Sequence, residues 1–214
     1  MRRWLIAGLC ALAPMWALAS QADDAFRFEP DGDRFYATGV LFPQSGRHID
    51  QARQNNPEIR TVVMQSVPGS DDENEYLGAA LKLRQAQFTT IIPSDGVVAS
   101  GGTDFFLAGV TRIIEPGACI GVHSWADNGP PPYEATDVPR NHEDHADFLR
   151  YFRAIGIAED FYWFTIHAAP ADGMHWMSPD EINRFGMSTR PVPASSESEA
   201  ARAARCFARL GGSA

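Results

Sequence analysis

The sequence predicts an α/β domain in which strand–turn–helix units repeat, the sheet is mostly parallel, and helices follow at the carboxyl end. Residues 59–65 form a short apolar run rich in β-branched side chains, and residues 71–87 have helical spacing after a Pro-Gly turn. A second unit follows, with an apolar run at 88–92 and a turn of small residues at 98–102. Such alternation builds a parallel sheet, so a site is expected where its strands end.

The other elements follow from the same signals. Residues 25–43 have the spacing and the Asp-Gly turn of a hairpin, and residues 45–54 are predicted to be helical. Beyond the second unit we expect an apolar helical run, a buried strand ending at His123, a proline-rich loop, three helices, a linker and a last helix. Their bounds are 105–109 for the helical run, 126–139 for the loop, 140–156, 158–167 and 178–186 for the helices, and 191–195 for the linker. We assign residues 25–190 to one α/β domain and 191–214 to a linker and C-terminal helix.

The amino end has the features of a secretory signal peptide over residues 1–19. A basic start at Arg2 and Arg3 precedes an apolar stretch, and Ala17-Leu18-Ala19 is a small-residue cleavage pattern. The apolar stretch is shorter than the roughly 20 residues of a spanning helix. The sequence therefore predicts a periplasmic or secreted mature protein, with an uncleaved N-terminal membrane anchor as the alternative.

Charge excludes some classes of partner. The formal net charge of −9 would become −11 on loss of Arg2 and Arg3. An acidic chain without a basic stripe is a poor nucleic-acid binder, so no nucleic-acid partner is expected.

Two cysteines, Cys119 and Cys206, remain after the predicted cleavage. An exported compartment permits a disulfide between them, and two separately buried thiols are the alternative. A four-cysteine metal site is excluded by the count. His142 and His145 lie three residues apart on a predicted helix, but no third ligand is identifiable, so a solvated charged face is the preferred interpretation and no metal is expected.

Ser100 and His123 are the candidate catalytic pair. A serine hydroxyl becomes an effective nucleophile when a base removes its proton, and histidine has a suitable pKa. The small neighbours of Ser100 would let a substrate backbone approach, and nearby backbone N–H groups could stabilise a developing oxyanion. The alternative is structural: Ser100 would cap a helix, and His123 would be a core histidine with backbone partners.

Four segments extend this interpretation. They are IRTVVMQSVPGS at 59–70, G-x-x-A-S at 96–100, LAGVTRIIEPGACIGVH at 107–123 and WMSPDEINRFGM at 176–187. In this order they resemble the proteolytic subunit of the Clp protease and its relatives of the ClpP/crotonase fold, most closely the exported ClpP-like proteins of bacteria. The resemblance covers residues 59–187 and implies a ClpP/crotonase-like fold.

The resemblance implies a Ser-His-Asp triad. Ser100 matches the nucleophile and His123 the base. Asp172 is the acid just before the fourth segment, although the family's position could fall on Pro170, and Asp160 is the spare candidate. The backbone N–H groups of Ser70 and Gly101 match the oxyanion hole.

Departures from the family pattern shape the functional expectation. Ser70 replaces a glycine, Gly101 replaces a bulkier residue, and Ser124-Trp125 replaces the usual residues after the histidine. Segments that dock an ATPase are not recognisable, so no ATPase partner is expected. The sequence predicts an exported, ATP-independent serine hydrolase, a peptidase acting on a peptide or acyl substrate without a cofactor. The alternative is a catalytically inactive binding or assembly module with the same fold.

An aromatic group follows the histidine strand and bears on assembly. Its members are Phe148, Tyr151, Phe152, Phe161, Tyr162, Trp163 and Phe164. In the ClpP/crotonase fold the helices of this region build subunit contacts, so the group is expected to be either internal core or part of a homo-oligomer interface.

Overall fold

The computed structural model describes residues 25–71 and 75–211; the predicted signal peptide at residues 1–19 lies outside these. The strands are β1 (Arg27–Asp31), β2 (Arg34–Thr38), β3 (Thr61–Val67), β4 (Thr89–Ile92), β5 (Val97–Ala99), β6 (Thr111–Ile114), β7 (Cys119–Val122), β8 (Ala126–Asp127), β9 (Tyr133–Glu134) and β10 (His175–Trp176). The α-helices are α1 (Ser45–Asn55), α2 (Glu75–Gln85), α3 (Gly101–Leu107), α4 (Ala146–Ile155), α5 (Glu159–Ala168), α6 (Pro179–Arg184) and α7 (Glu199–Gly211). Two short 3₁₀ turns lie at Ala135–Asp137 and Glu143–His145.

The main sheet is mostly parallel, which confirms the predicted α/β fold class. Its pairs β2–β3, β3–β4, β4–β6, β3–β5 and β5–β7 are parallel, whereas the β1–β2 hairpin and the β10–β7 pair are antiparallel. The helical run, the carboxyl-terminal helices and the amino-terminal hairpin are also present. Right-handed crossovers through helices are the usual way of joining neighbouring parallel strands, and α1 (between β2 and β3) and α2 (between β3 and β4) lie in two such connections.

The sheet divides at β3, and this division positions the site. Residues 61–63 of β3 pair with β4, whereas Ser66 and Val67 pair with β5. One arm continues from β4 to β6, and the other continues from β5 to β7 and β10. The carboxyl ends of β3, β5 and β7 therefore lie next to one another.

Three sequence-based assignments need correction. The small residues before Ser100 were expected to form a turn, but Val97–Ala99 is a buried strand between β3 and β7. One strand was expected before His123, but two strands, β6 and β7, lie in different arms because the Glu115–Ala118 turn separates them. The predicted loop at 126–139 contains the β8–β9 hairpin. In each case strand pairing is decided by contacts distant in sequence, which local pattern does not report.

The helix expected at 140–156 begins later, at Ala146. The His142 amide donates to the Pro139 carbonyl oxygen in a turn, and the 3₁₀ segment then leads into α4.

Of the aromatic group, Phe148, Tyr151, Phe152, Phe161 and Tyr162 are buried in the core of the chain itself. Trp163 and Phe164 are partly buried and pack against that core.

The last helix is attached to the sheet. Cys119 on β7 and Cys206 on α7 form a disulfide, with their Cα atoms 5.6 Å apart. The Arg202 guanidinium donates to the Trp176 carbonyl oxygen at 2.9 Å, and the rings of Trp176 and Phe207 are in edge contact. Among the described residues, no helix has both the length and the apolar character needed to cross a bilayer.

Candidate active site

Strand register brings Ser100 and His123 to the same edge of the sheet. Ala99 on β5 pairs with Gly121 on β7, and the Ser100 amide donates to the Gly121 carbonyl oxygen at 3.1 Å. Ser100 follows β5 directly and His123 follows β7 directly. Because neighbouring strands are about 4.8 Å apart, the two residues face the same small volume although 23 positions separate them in sequence.

Ser100 has an unusual backbone conformation. Its φ is 52° and its ψ is −131°, a region that L-residues other than glycine seldom adopt. Such a conformation costs on the order of 1–3 kcal/mol and is found most often at functional sites. The serine stands at the N-cap position of α3, but its side chain makes no capping hydrogen bond. The hydroxyl is therefore not used as a helix cap, the role that the structural alternative assigned to it.

The small residues after Ser100 are required by close packing. A Cβ atom on Gly102 would overlap the Val67 carbonyl oxygen, and one on Gly101 would lie 2.5 Å from the Ser70 Oγ atom. The Thr103 hydroxyl donates to the Gly121 carbonyl oxygen at 2.9 Å and fixes the start of α3 against β7. Gly101 and Gly102 thus allow α3 to begin directly against β3 and the segment that follows it.

Ser70 and Gly101 are the residues predicted to supply the oxyanion hole, and contacts around Ser70 fix the backbone there. The Leu41 amide donates to the Gly69 carbonyl oxygen at 2.9 Å, and the Asp71 amide donates to the Leu41 carbonyl oxygen at 2.8 Å. This parallel bridge uses the backbone on either side of Ser70 and fixes the Ser70 peptide. Within the part of the chain that the structure describes, neither the Ser70 nor the Gly101 N–H donates to another residue.

The environment of His123 favours a neutral ring. Burial lowers the pKa of His123, and the backbone of Ala171, the backbone of Ser124 and the negative charge of Glu134 oppose this effect. The Nδ1 atom of His123 is buried and makes no hydrogen bond to any described residue. A neutral imidazole at neutral pH can accept a proton, as a general base must.

Asp172, the acid predicted from the sequence, lines the cavity. In the described structure no hydrogen bond joins its carboxylate to the His123 ring. Its side chain is exposed. The alternative, Asp160, is exposed on α5 and is not part of the cavity lining.

Glu134 is the carboxylate that acts electrostatically on His123. The β8–β9 hairpin folds back over the segment after His123, and the Ala135 amide donates to the Trp125 carbonyl oxygen at 3.0 Å. The Glu134 Oε2 atom accepts a hydrogen bond from the Ala171 amide at 3.2 Å. Sequence reasoning missed Glu134, since only the hairpin, hidden in a proline-rich stretch, brings it to the site.

These groups line one cavity of about 530 Å³. Its polar side includes Ser70, Ser100, His123, Asn128, Glu134 and Asp172. Its apolar side includes the rings of Phe148, Phe152 and Tyr162, and the Trp125 indole donates to the Tyr162 hydroxyl at 2.9 Å. A cavity of this size and character can enclose a side chain and an acyl group.

No hydrogen bond joins Ser100 and His123 among the described atoms. Catalytic hydrogen bonds are often long in enzymes without substrate and shorten on binding, so the catalytic pairing of Ser100 and His123 stays a prediction.

Asp104 is a second carboxyl group of the cavity that sequence reasoning missed. It lies on α3, and the Tyr76 hydroxyl donates to its Oδ2 atom at 2.7 Å. Burial raises the pKa of Asp104 to about 7, and the Tyr76 hydrogen bond acts in the opposite direction. No sequence pattern indicates this role for Asp104, because its contact with Tyr76 depends on the packing of α2 against α3.

Comparison with known proteins gives structural similarity only. No family model matches the chain, and no curated protein matches its sequence. A membrane-bound stomatin-specific protease, 1510-N, in complex with a substrate peptide is 19% identical with a TM-score of 0.46, over 76% of this chain and 74% of that one. An enoyl-CoA hydratase from Polaromonas is 14% identical with a TM-score of 0.47, over 86% of this chain and 76% of that one. A probable enoyl-CoA hydratase from Mycobacterium tuberculosis is 11% identical with a TM-score of 0.48, over 88% and 89% of the two chains. These proteins have ClpP/crotonase-like folds and differing activities, so no activity follows from them.

Proposed function

We propose that the protein is an exported, ATP-independent serine hydrolase that cleaves peptide or related acyl bonds. Ser100 carries this proposal: its hydroxyl makes no capping bond, its backbone is held at positive φ, and it shares a cavity with His123. The signal-peptide pattern at residues 1–19 and the Cys119–Cys206 disulfide support export, because disulfides persist in oxidising compartments.

The proposed reaction follows from the groups present. The Ser100 hydroxyl gives its proton to the neutral His123 ring as Oγ forms a bond to the substrate carbonyl carbon. The carbonyl electron pair moves to the oxygen, where the N–H groups of Ser70 and Gly101 stabilise the negative charge. When the intermediate collapses, the leaving group takes the proton from His123. Water then releases the acyl group from Ser100 by the same steps.

Glu134 is the proposed acidic partner of His123. Its negative charge raises the pKa of His123 and would stabilise the imidazolium that forms in the transition state. It also holds the Ala171 amide, which places the Ala171 backbone against the ring. Asp172, the candidate from the sequence, remains the alternative.

Labelling tests the proposed nucleophile. A neutral fluorophosphonate should modify the purified protein at Ser100, because such probes react with activated serines, and peptide mass spectrometry should identify the modified residue. The His123→Ala variant should label much more slowly, since it lacks the base. Modification of another serine, or no labelling in the folded protein, would refute the proposal.

The two acids can be separated by a pH profile. Glu134→Gln should lower kcat/KM by at least about tenfold, equivalent to about 1.4 kcal/mol of transition-state stabilisation. Because Glu134 raises the pKa of His123, its removal should also move the acid limb of kcat/KM to lower pH. Asp172→Asn tests the alternative under the same conditions. A larger loss and an acid-limb shift in Asp172→Asn alone would assign the acidic role to Asp172.

A catalytically inactive binding module is the second candidate. It is favoured by the lack of a hydrogen bond between Ser100 and His123 in the described structure, and by the exposed position of Asp172. This alternative predicts a folded protein that binds ligands in the cavity and remains unlabelled.

A further inference from the structure

Asp104 occupies a position from which it can contact a substrate held at Ser100. It lies in the first turn of α3, four positions after Ser100, whose own backbone is not helical. Both side chains line the same cavity. Asp104 is enclosed by protein but retains partial solvent accessibility, as expected for a group that faces an internal cavity.

The carboxyl group of Asp104 is only partly satisfied by its neighbours. The Tyr76 hydroxyl donates to Oδ2, and the Tyr151 hydroxyl donates to the backbone carbonyl oxygen of Asp104 at 2.5 Å. The Oδ1 atom accepts no hydrogen bond from any described residue. One carboxylate oxygen therefore remains available to a ligand.

Positive charge that could neutralise Asp104 is absent from the described cavity lining. The ionisable side chains that line it with Asp104 are Tyr76, His123, Glu134, Tyr162 and Asp172, with no lysine or arginine among them. Arg84 and Arg112 act electrostatically on Tyr151, which packs beside Asp104. Their guanidinium groups donate to backbone carbonyl oxygens, both of them to Gly109. The cavity therefore has negative potential and attracts cations.

The walls next to this acid suit a long side chain with a cationic end. Phe148, Phe152 and Tyr162 form an apolar wall of this cavity, against which an aliphatic stem can pack. A Cβ atom on Gly101 would lie 3.2 Å from the Tyr76 ring, so Tyr76, which donates to Asp104, stands next to the residue that follows Ser100.

We propose that Asp104 and Tyr76 form a specificity subsite that binds the ammonium or guanidinium group of the substrate residue whose carbonyl is attacked by Ser100. This inference deepens the proposed function and rests on it. The substrate cation donates to the free Oδ1 atom of Asp104, while the Tyr76 hydroxyl holds Oδ2. The protein is thus a hydrolase selective for lysine- or arginine-type residues.

A matched substrate pair tests the subsite. Two fluorogenic peptides that differ only in lysine or norleucine before the scissile bond share the stem and differ in the cation. At pH 8, wild type should prefer lysine by about 10- to 100-fold in kcat/KM, as expected for a charge-assisted contact. Asp104→Asn should abolish the preference. The control Asp33→Asn removes one negative charge in the exposed β1–β2 turn and should retain it.

The preference should depend on pH in a defined direction. Because burial raises the pKa of Asp104 to about 7, the carboxyl group is largely neutral below that pH and charged above it. The lysine-to-norleucine ratio should therefore rise as the pH increases through about 7. Ionisation of His123 affects both substrates alike and cancels in the ratio. Tyr76→Phe removes a hydrogen bond that stabilises the carboxylate, so it should move the rise to higher pH.

A binding experiment separates failure of the subsite from failure of the proposed chemistry. The Ser100→Ala protein should bind the lysine peptide more tightly than the norleucine peptide in calorimetry, even if the wild type proves to be inactive. Labelling of Asp104→Asn by a neutral fluorophosphonate should persist, because the nucleophile is intact. Equal binding of the two peptides, a preference for norleucine, or a lysine preference that survives in Asp104→Asn would overturn the inference.

Discussion

Ser100→Ala should lower kcat/KM for ester and peptide hydrolysis by on the order of 10⁴-fold or more, because removal of a serine nucleophile disables the whole catalytic group. Turnover of a fluorogenic acyl substrate, measured at equal concentrations of folded protein, checks this result. Ser94→Ala is the matched control: Ser94 is exposed in the turn before β5, and the contacts identified for it use its backbone. Retention of activity in Ser100→Ala would place the chemistry elsewhere.

A glycine at the same position separates catalysis from structure. Ser100 adopts φ 52°, which favours glycine. Ser100→Gly should therefore be as inactive as Ser100→Ala, yet raise the free energy of unfolding by roughly 1 kcal/mol through relief of backbone strain. Loss of activity with a gain in stability is the expected signature of strain retained for function. A residue with a purely structural role would lose stability instead.

The sequence predicts the fold class well because its signal is local. The runs at 59–65 and 88–92, rich in apolar and β-branched residues, correspond to β3 and β4, because such side chains favour strands with a buried face. Strand β5 was missed, because three residues give too little periodicity to distinguish a strand from a turn. Its existence depends on pairing with β3 on one side and β7 on the other.

The residues of the candidate site also differ in whether the sequence alone could indicate them. Ser100 and His123 could be proposed because each follows a strand, and parallel topology brings such ends together. Glu134 and Asp104 could not be proposed on that basis. Glu134 reaches His123 through the fold of the β8–β9 hairpin, and the raised pKa of Asp104 is caused by packing of α2 and α4 around α3. Such environments arise from tertiary contacts that a single sequence does not encode visibly.

Loss of the Cys119–Cys206 disulfide should strongly destabilise the protein. The bond closes a loop with a sequence separation of 87 residues. Restriction of the unfolded chain by a loop of this length corresponds to about 4–5 kcal/mol of stability. The bond also holds α7 over Val97 and Ala99, the β5 residues that lead directly into Ser100. Denaturant unfolding with and without reductant measures the effect.

The Cys119→Ala/Cys206→Ala variant distinguishes the disulfide from other effects of reductant. Reductant should lower the unfolding midpoint of the wild-type protein towards that of the double variant, and it should leave the double variant unchanged. Because α7 retains the Arg202 contact to the Trp176 carbonyl oxygen and the Arg209 contact to the Gly117 carbonyl oxygen, the folded double variant should keep its catalytic site and lose stability first. Equal unfolding midpoints for the oxidised wild type and the double variant would contradict a stabilising disulfide. Inactivity of the fully folded double variant would instead assign the bond a direct role in positioning the end of β5.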